Sequence, residues 1–176
     1  MQNLRQLVGR ENSRVFALSD LRALLPEHGE GAFKSIVARL QKRGDLTRVC
    51  RGIYQLPDST LRGSELLGRT AARLRANHLN YVSLETVLSD AGLISQVPMN
   101  RITVMSSGRS STISCGVFGE IEFIHTQKTA RELAPNLGYD SHYGLWRAST
   151  QLAVEDMKDT RRDTGLVKWD EVNELV

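Results

Sequence analysis

Histidine, cysteine, paired acids and serine-rich loops are the groups through which a chain of this length would do catalysis. His28, His78, His125 and His142 stand at no metal-ligand spacing with one another or with a cysteine. Cys50 and Cys115 lie too far apart in sequence for a C-x-x-C pair, which excludes a disulfide scaffold and a cysteine-only zinc site. Glu120 and Glu122 alternate as on a strand, but a metal-dependent nuclease wants more carboxylates and a lysine following them, so a solvated strand face is expected. Cys115 and His125 would serve as nucleophile and base only if something held them together, and a buried cysteine is expected instead. The run Ser-Ser-Gly-Arg-Ser-Ser at 106–111 lacks the glycine-lysine frame of a phosphate loop and leads toward a strand, so it reads as a polar hairpin loop. No catalytic residue, metal site or cofactor is expected, and the chain does not read as an enzyme.

The chemistry the sequence does offer is cationic. Residues 1–75 hold 14 Lys and Arg against 7 Asp and Glu, whereas residues 76–176 hold 9 against 13. The net charge of +3 therefore hides a basic front and an acidic back, which points to two parts with different partners. Most of the front charge is arginine, whose planar fork suits phosphates and base edges.

Position of that charge depends on the elements beneath it. Leu4, Leu7 and Val8 predict a short first helix ending near Gly9. Ser19 is placed to cap a second helix carrying Leu21, Leu24 and Leu25, which Pro26 stops. Phe33, Ile36, Val37 and Leu40 fall at i, i+3, i+4 and i+7, which predicts an amphipathic helix with those four in the core and Gly44 closing it. The opposite face carries Lys34, Ser35, Ala38, Arg39 and Lys42 and no acid, with Arg43 near the apolar edge. Two β-prone runs, 46–49 and 53–56, then flank a turn at Arg51-Gly52, which predicts a hairpin bearing Arg48 and Arg51. Helix, helix, basic helix and basic hairpin is the order of a winged helix-turn-helix. Lys34, Ser35, Arg39, Lys42, Arg43, Arg48 and Arg51 are its candidate contacts to double-stranded DNA.

Behind this come a helix capped by Ser59 with Arg62, Arg69, Arg73 and Arg75, read as a solvated connector, and an alternation of strand-like and helical runs. An extended lead-in at Tyr81-Val82 precedes a helix capped by Ser83; strands are expected near 101–105, 112–117, 121–124 and 145–148. Ser149 caps a helix at 151–157, the stretch 159–165 is charged and exposed, and a last short helix covers 169–176. The expected fold is α+β: a winged helix-turn-helix over 1–58, a connector helix over 59–78, and a small α+β domain over 79–176 with a mainly antiparallel sheet. The charged start, Met1-Gln2-Asn3-Leu4-Arg5, leads into no apolar stretch, and no apolar run approaches the ~20 residues that span a bilayer, so a cytoplasmic location is expected.

Two long segments resemble a known family. The run Gly44-Asp45-Leu46-Thr47-Arg48-Val49-Cys50-Arg51-Gly52-Ile53-Tyr54-Gln55-Leu56-Pro57 is similar to the wing of AbiEi-type antitoxins. Tyr81-Val82-Ser83-Leu84-Glu85-Thr86-Val87-Leu88-Ser89-Asp90-Ala91-Gly92-Leu93-Ile94, with Val97-Pro98 and Ile102-Thr103-Val104, resembles the start of that family's second domain. Residues 119–125 resemble its later strand and following histidine, and Ala148-Ser149-Thr150-Gln151-Leu152-Ala153-Val154-Glu155-Asp156 its A-S-P-E-x-A-L-x-D helix start, with Thr150 in place of Pro and Gln151 in place of Glu. The resemblance spans about residues 3–157. It implies an antitoxin of a bacterial type IV toxin–antitoxin system. Such a protein represses its own operon by binding promoter inverted repeats through the winged helix. Through the C-terminal domain it counters a cognate nucleotidyltransferase-like toxin, without a stable complex being assumed. The alternative is a winged-helix regulator whose C-terminal domain senses a ligand or forms a dimer.

Overall fold

Val15 and Phe16 bury their side chains in a first short strand, β1 (Val15–Ala17), in the computed structural model, which describes residues 14–94, 100–165 and 167–170. The first predicted helix, at 4–9, lies outside the described residues. Helix α1 (Leu18–Ala23) follows directly. Its N-cap is Ala17 rather than Ser19: the Asp20 carboxylate reaches back and accepts from the Ala17 N–H at 2.8 Å. An acid in the first turn thus closes the amide of the N-cap residue, and no serine hydroxyl caps the helix.

Helix α2 (Glu30–Lys42) is the amphipathic helix expected from the spacing of Phe33 and Val37, and both are buried. Ile36 and Leu40 are only half-buried, so the apolar stripe reaches the core along one edge. Gly44, at φ +75°, ends the helix: its N–H donates to Gln41 O at 3.0 Å and the Asp45 N–H donates to Leu40 O at 2.9 Å. That pair of bonds is a Schellman closure, which needs a left-handed residue at this position. Strands β2 (Thr47–Cys50) and β3 (Ile53–Gln55) form the predicted hairpin, with a register shift between Arg48 and Cys50. β1 pairs with β3, giving an antiparallel sheet in the order β1-β3-β2. Phe16, Leu21, Phe33, Val37, Leu46, Tyr54 and Leu56 form one apolar cluster between sheet and helices.

The chain divides into two units, Met1–Arg62 and Gly63–Val176. Helix α3 (Gly63–Leu74) therefore belongs to the second unit and is no solvated connector. Leu66, Leu67, Gly68, Thr70 and Ala71 are buried, and the Gly68 Cα lies so close to the Tyr143 backbone that a Cβ would meet its carbonyl oxygen at 2.7 Å. Ser59 caps nothing in α3; its hydroxyl accepts from the Leu61 N–H at 3.2 Å.

Around α3 the second unit builds strands β4 (Asn80–Val82), β5 (Arg101–Ser106), β6 (Ser111–Ser114), β7 (Glu120–His125), β8 (Leu137–Asp140) and β9 (Leu145–Ala148). They form one sheet in the order β6-β7-β5-β4-β9-β8. Three pairings are antiparallel, but β5 with β7 and β4 with β9 are parallel, so the sheet is mixed. β5 and β6 are not neighbours: β7 lies between them, and the serine-rich segment expected as a hairpin loop is a crossover passing the end of β7. Residues 116–118 form a 3₁₀ turn instead of continuing β6, and a four-residue helix, α5 (Ala130–Leu133), leads toward β8.

Helices α4 (Leu84–Asp90) and α6 (Thr150–Asp159) pack together and are joined to the sheet by buried polar bonds. Ser149 caps α6 as expected, accepting from the Leu152 N–H at 3.2 Å. Ser83 precedes α4 but points elsewhere: it donates to Asp156 Oδ2 at 2.7 Å. The architecture is α+β. Among the described residues, no helix is long and apolar enough to cross a membrane. The last predicted helix, at 169–176, falls mainly outside the described residues.

Candidate nucleic-acid interface

A helix that buries Phe33 and Val37 must turn the intervening positions outward, and Lys34, Ser35, Ala38, Arg39 and Lys42 are all exposed. Arg43, at the helix end, and Arg48 and Arg51 on the hairpin are exposed as well. All seven sequence-derived contact candidates thus reach solvent from the same small unit.

Their hydrogen bonds divide them. Arg39 donates from Nε to Ser35 O at 3.3 Å, one turn back along the helix. Arg43 approaches Asp45 Oδ2 through Nε at 3.1 Å, and Arg48 donates from Nε to Cys50 O at 3.2 Å. Each of these arginines is held near its base, and the two terminal nitrogens remain for a phosphate or a base edge. The side chains of Lys42 and Arg51 have no hydrogen-bond or ion-pair partner among the described residues. Such charges, already solvated and unpaired, meet a phosphate with no internal bond to break.

Two candidates are weaker than their sequence position promised. The helix begins at Glu30, and Lys34 Nζ lies 2.6 Å from Glu30 Oε1. The outward face therefore does contain an acid, and Lys34 is already paired. Its hydrogen bond and charge hold the Glu30 carboxyl below the ordinary carboxylate range. Ser35 donates its hydroxyl proton to Gly31 O at 2.9 Å, which leaves only an acceptor for a ligand. The candidates with the fewest internal partners are Arg39, Lys42, Arg48 and Arg51, while Arg43 is paired with Asp45.

Arg22 was not among the candidates and serves the turn rather than a ligand. It donates to Leu25 O at 2.9 Å and its guanidinium sits 5.3 Å from the centre of the Phe33 ring. This bracing fixes the connection between α1 and α2, which sets the direction in which α2 points its basic face.

The chain shares its fold with a solved protein. It is similar to the crystal structure of the RV2827C protein from Mycobacterium tuberculosis, at a TM-score of 0.62 and 16% identity, over 88% of this chain and 58% of that one. This chain thus spans little more than half the length of that protein, and the likeness concerns architecture alone. No family model matches the chain, and no curated protein does.

Cys115, Glu120 and Glu122, considered for catalysis, are separated from a partner or paired off in the second unit. Cys115 is buried and lies beside Gly119 before β7, whereas His125 ends that strand, so the two stand at opposite ends of it. Glu120 and Glu122 are not a solvated face. Arg101 donates to Glu120 Oε2 at 2.7 Å, and Arg162 Nη2 reaches Glu122 Oε1 at 2.6 Å while its Nη1 reaches Glu85 Oε1 at 2.7 Å. Arg162 belongs to the stretch expected to be exposed. Burial alone would lower its pKa, but the two glutamates outweigh burial and hold its charge firmly. Among the described residues no group of three or more His, Cys, Asp or Glu could hold a metal ion.

Proposed function

We propose that this chain is a DNA-binding antitoxin of the AbiEi type. Its first unit is a winged helix that grips operator DNA with α2 in the major groove and the hairpin as the wing. Its second unit counters a nucleotidyltransferase-like toxin. The observation that carries the DNA reading is the outward set of cations on α2 and the hairpin, in which Arg39, Arg43 and Arg48 are held at Nε with their terminal nitrogens free. A 13-residue α-helix is about 20 Å long, which suits the major groove. The antitoxin reading rests on the resemblance of residues 44–57 and 81–94. It is supported by the bond between two of the resembling segments, where Ser83 of one donates to Asp156 of the other.

DNA binding is tested on the promoter of the chain's own operon by gel shift at several salt concentrations. Arg39→Ala combined with Lys42→Ala is expected to weaken binding about tenfold or more. The salt dependence should become shallower by about one unit for each phosphate that the variant no longer neutralises. Unchanged affinity and slope would remove α2 from the interface. The antitoxin role is tested by expressing the adjacent gene alone and together with this one. Growth arrest relieved by co-expression is expected. A harmless neighbour, combined with intact operator binding, would favour the regulator with a ligand-sensing or dimerising second domain.

A further inference from the structure

The segment at 107–110 leaves the carboxyl end of β5, crosses the carboxyl end of β7 and enters β6 on the far side. β5 and β7 run parallel, with Ser106 opposite His125, so both strands end side by side beneath this crossover. The outer carboxyl ends of parallel strands are where α/β sheets hold their ligands.

Three elements converge there, and the hydrogen bonds made at the loop among the described residues run to neutral acceptors. Arg75, just past α3, stacks on the Phe123 ring at 3.9 Å. Its Nη2 donates to Arg109 O at 2.5 Å and to Ser111 Oγ at 2.8 Å, and its Nη1 is buried without a hydrogen-bond partner. Both acceptors are neutral, and burial lowers the stability of the charged form. A guanidinium held this way leaves positive potential unbalanced at the loop. A Cβ on Gly108 would stand 3.0 Å from Arg75 Nη1 and 3.4 Å from His78 Nδ1, so the glycine lets both groups close in.

The remaining polar groups brace the loop, and two of its serine hydroxyls keep a proton available. Gly108 N–H donates to Ser106 Oγ at 3.1 Å, and Ser106 donates to Asn80 Oδ1 at 2.7 Å. Asn80 in turn covers the carbonyls of Arg75 and His78, at 2.7 and 2.8 Å, which withdraws the negative end of α3 from the loop. Ser107 Oγ accepts from Leu79 N–H at 3.1 Å and Ser110 Oγ accepts from His125 N–H at 2.9 Å, so both hydroxyls still have a proton to donate. His125 Nδ1 lies 3.0 Å from Gly108 O, a carbonyl that can only accept, which assigns a proton to Nδ1 and leaves Nε2 able to donate to an anion only in the imidazolium form. The Arg109 side chain is exposed and has no partner among the described residues.

We propose that this crossover, with Arg75, His78, Arg109 and His125 around it, is a binding site for a phosphate group, either free or as the monoester of a small molecule. His78, His125 in its imidazolium form, the free Arg109 fork and the serine hydroxyls supply the ligating groups, and Arg75 adds its charge beside them. This site lies in the second unit and does not depend on the DNA-binding reading of the first.

The test follows the four histidine ring signals of the full chain by proton NMR, with His78→Gln and His125→Gln assigning two of them. The probes are inorganic phosphate, adenosine 5′-monophosphate and adenosine. Saturable movement of the His78 and His125 signals is expected with phosphate or the monophosphate, with His28 and His142 unmoved. Tighter binding of the monophosphate than of free phosphate would identify an ester as the source; equal binding would identify phosphate itself. Arg109→Ala is expected to raise the dissociation constant about tenfold while leaving the tryptophan-detected unfolding curve in place. Absence of saturation, equal binding of adenosine and its monophosphate, or indifference to Arg109→Ala would each overturn the site.

Discussion

Val37→Asp is expected to unfold the first unit and abolish operator binding while leaving the second unit folded. Val37 is buried in the cluster with Phe16, Leu21, Phe33, Leu46, Tyr54 and Leu56, and no cation belongs to that cluster. An unpaired carboxylate there costs on the order of 3–5 kcal/mol. A core of this size in a unit of about sixty residues rarely supplies more than about 3–5 kcal/mol in all, so the substitution consumes the whole margin. The measurement is straightforward because both tryptophans, Trp146 and Trp169, lie in the second unit. Far-UV circular dichroism should lose part of its amplitude at 25 °C, whereas the tryptophan-detected denaturation curve should keep its midpoint. Ala38→Asp, one residue along and exposed, should preserve the signal and weaken DNA binding by placing a negative charge on the basic face. A folded first unit in Val37→Asp, or an unfolded one in Ala38→Asp, would mean that α2 is turned differently on its axis.

That contrast also marks how far the sequence is readable. Helix α2 was legible because its apolar residues repeat at helical spacing and a glycine stands where the left-handed closure must be. The hairpin and the Ser149 cap were legible for the same local reason. β1 and β8 were not: β1 runs straight into α1 with no turn between them, and β8 carries Gly138 where a strand would show a packed side chain. The crossover at 107–110 escapes a sequence reading for a different cause: strand order is a long-range property, and nothing between Ser106 and Ser111 announces that β7 will insert between its two neighbours. The same holds for side chains. Glu122 and Arg162 are forty residues apart and each looks like surface charge alone; only the fold brings them to 2.6 Å. Of the candidate contact residues, periodicity found the exposed set, but pairing of Lys34 by Glu30 depended on where the helix begins, which spacing leaves open by a turn.

The buried carboxylate of Asp156 is the second place where one substitution should have a large effect. It is fully buried on α6, accepts from Ser83 Oγ at 2.7 Å and from Lys128 Nζ at 2.8 Å, and thereby ties the lead-in to α4 and the segment after β7 to one helix. The Tyr81 hydroxyl is buried nearby; burial first and the negative carboxylate second keep it protonated far above the ordinary tyrosine range. Asp156→Ala leaves Ser83 without an acceptor and strips Lys128 of its buried partner, although Asp159 still lies 2.9 Å from the ammonium. The loss should be about 3 kcal/mol, at the lower end for a broken buried pair because Lys128 can turn toward solvent. Asp156→Asn keeps an acceptor for Ser83 and should lose less. Lys128 supplies an independent check through pH. Burial alone would lower its pKa, but hydrogen bonds to Asp156 and Asp159 outweigh burial and raise it above the ordinary lysine value. A group raised on folding contributes fully below its unfolded value and loses that contribution as pH climbs through the folded one. The wild-type tryptophan-detected stability should therefore fall on the alkaline side as Lys128 deprotonates, and the fall should be shallower in Asp156→Asn. Equal stability of wild type and Asp156→Ala would mean that the second unit is held together by its apolar layers alone, with the carboxylate a passive occupant of its interior.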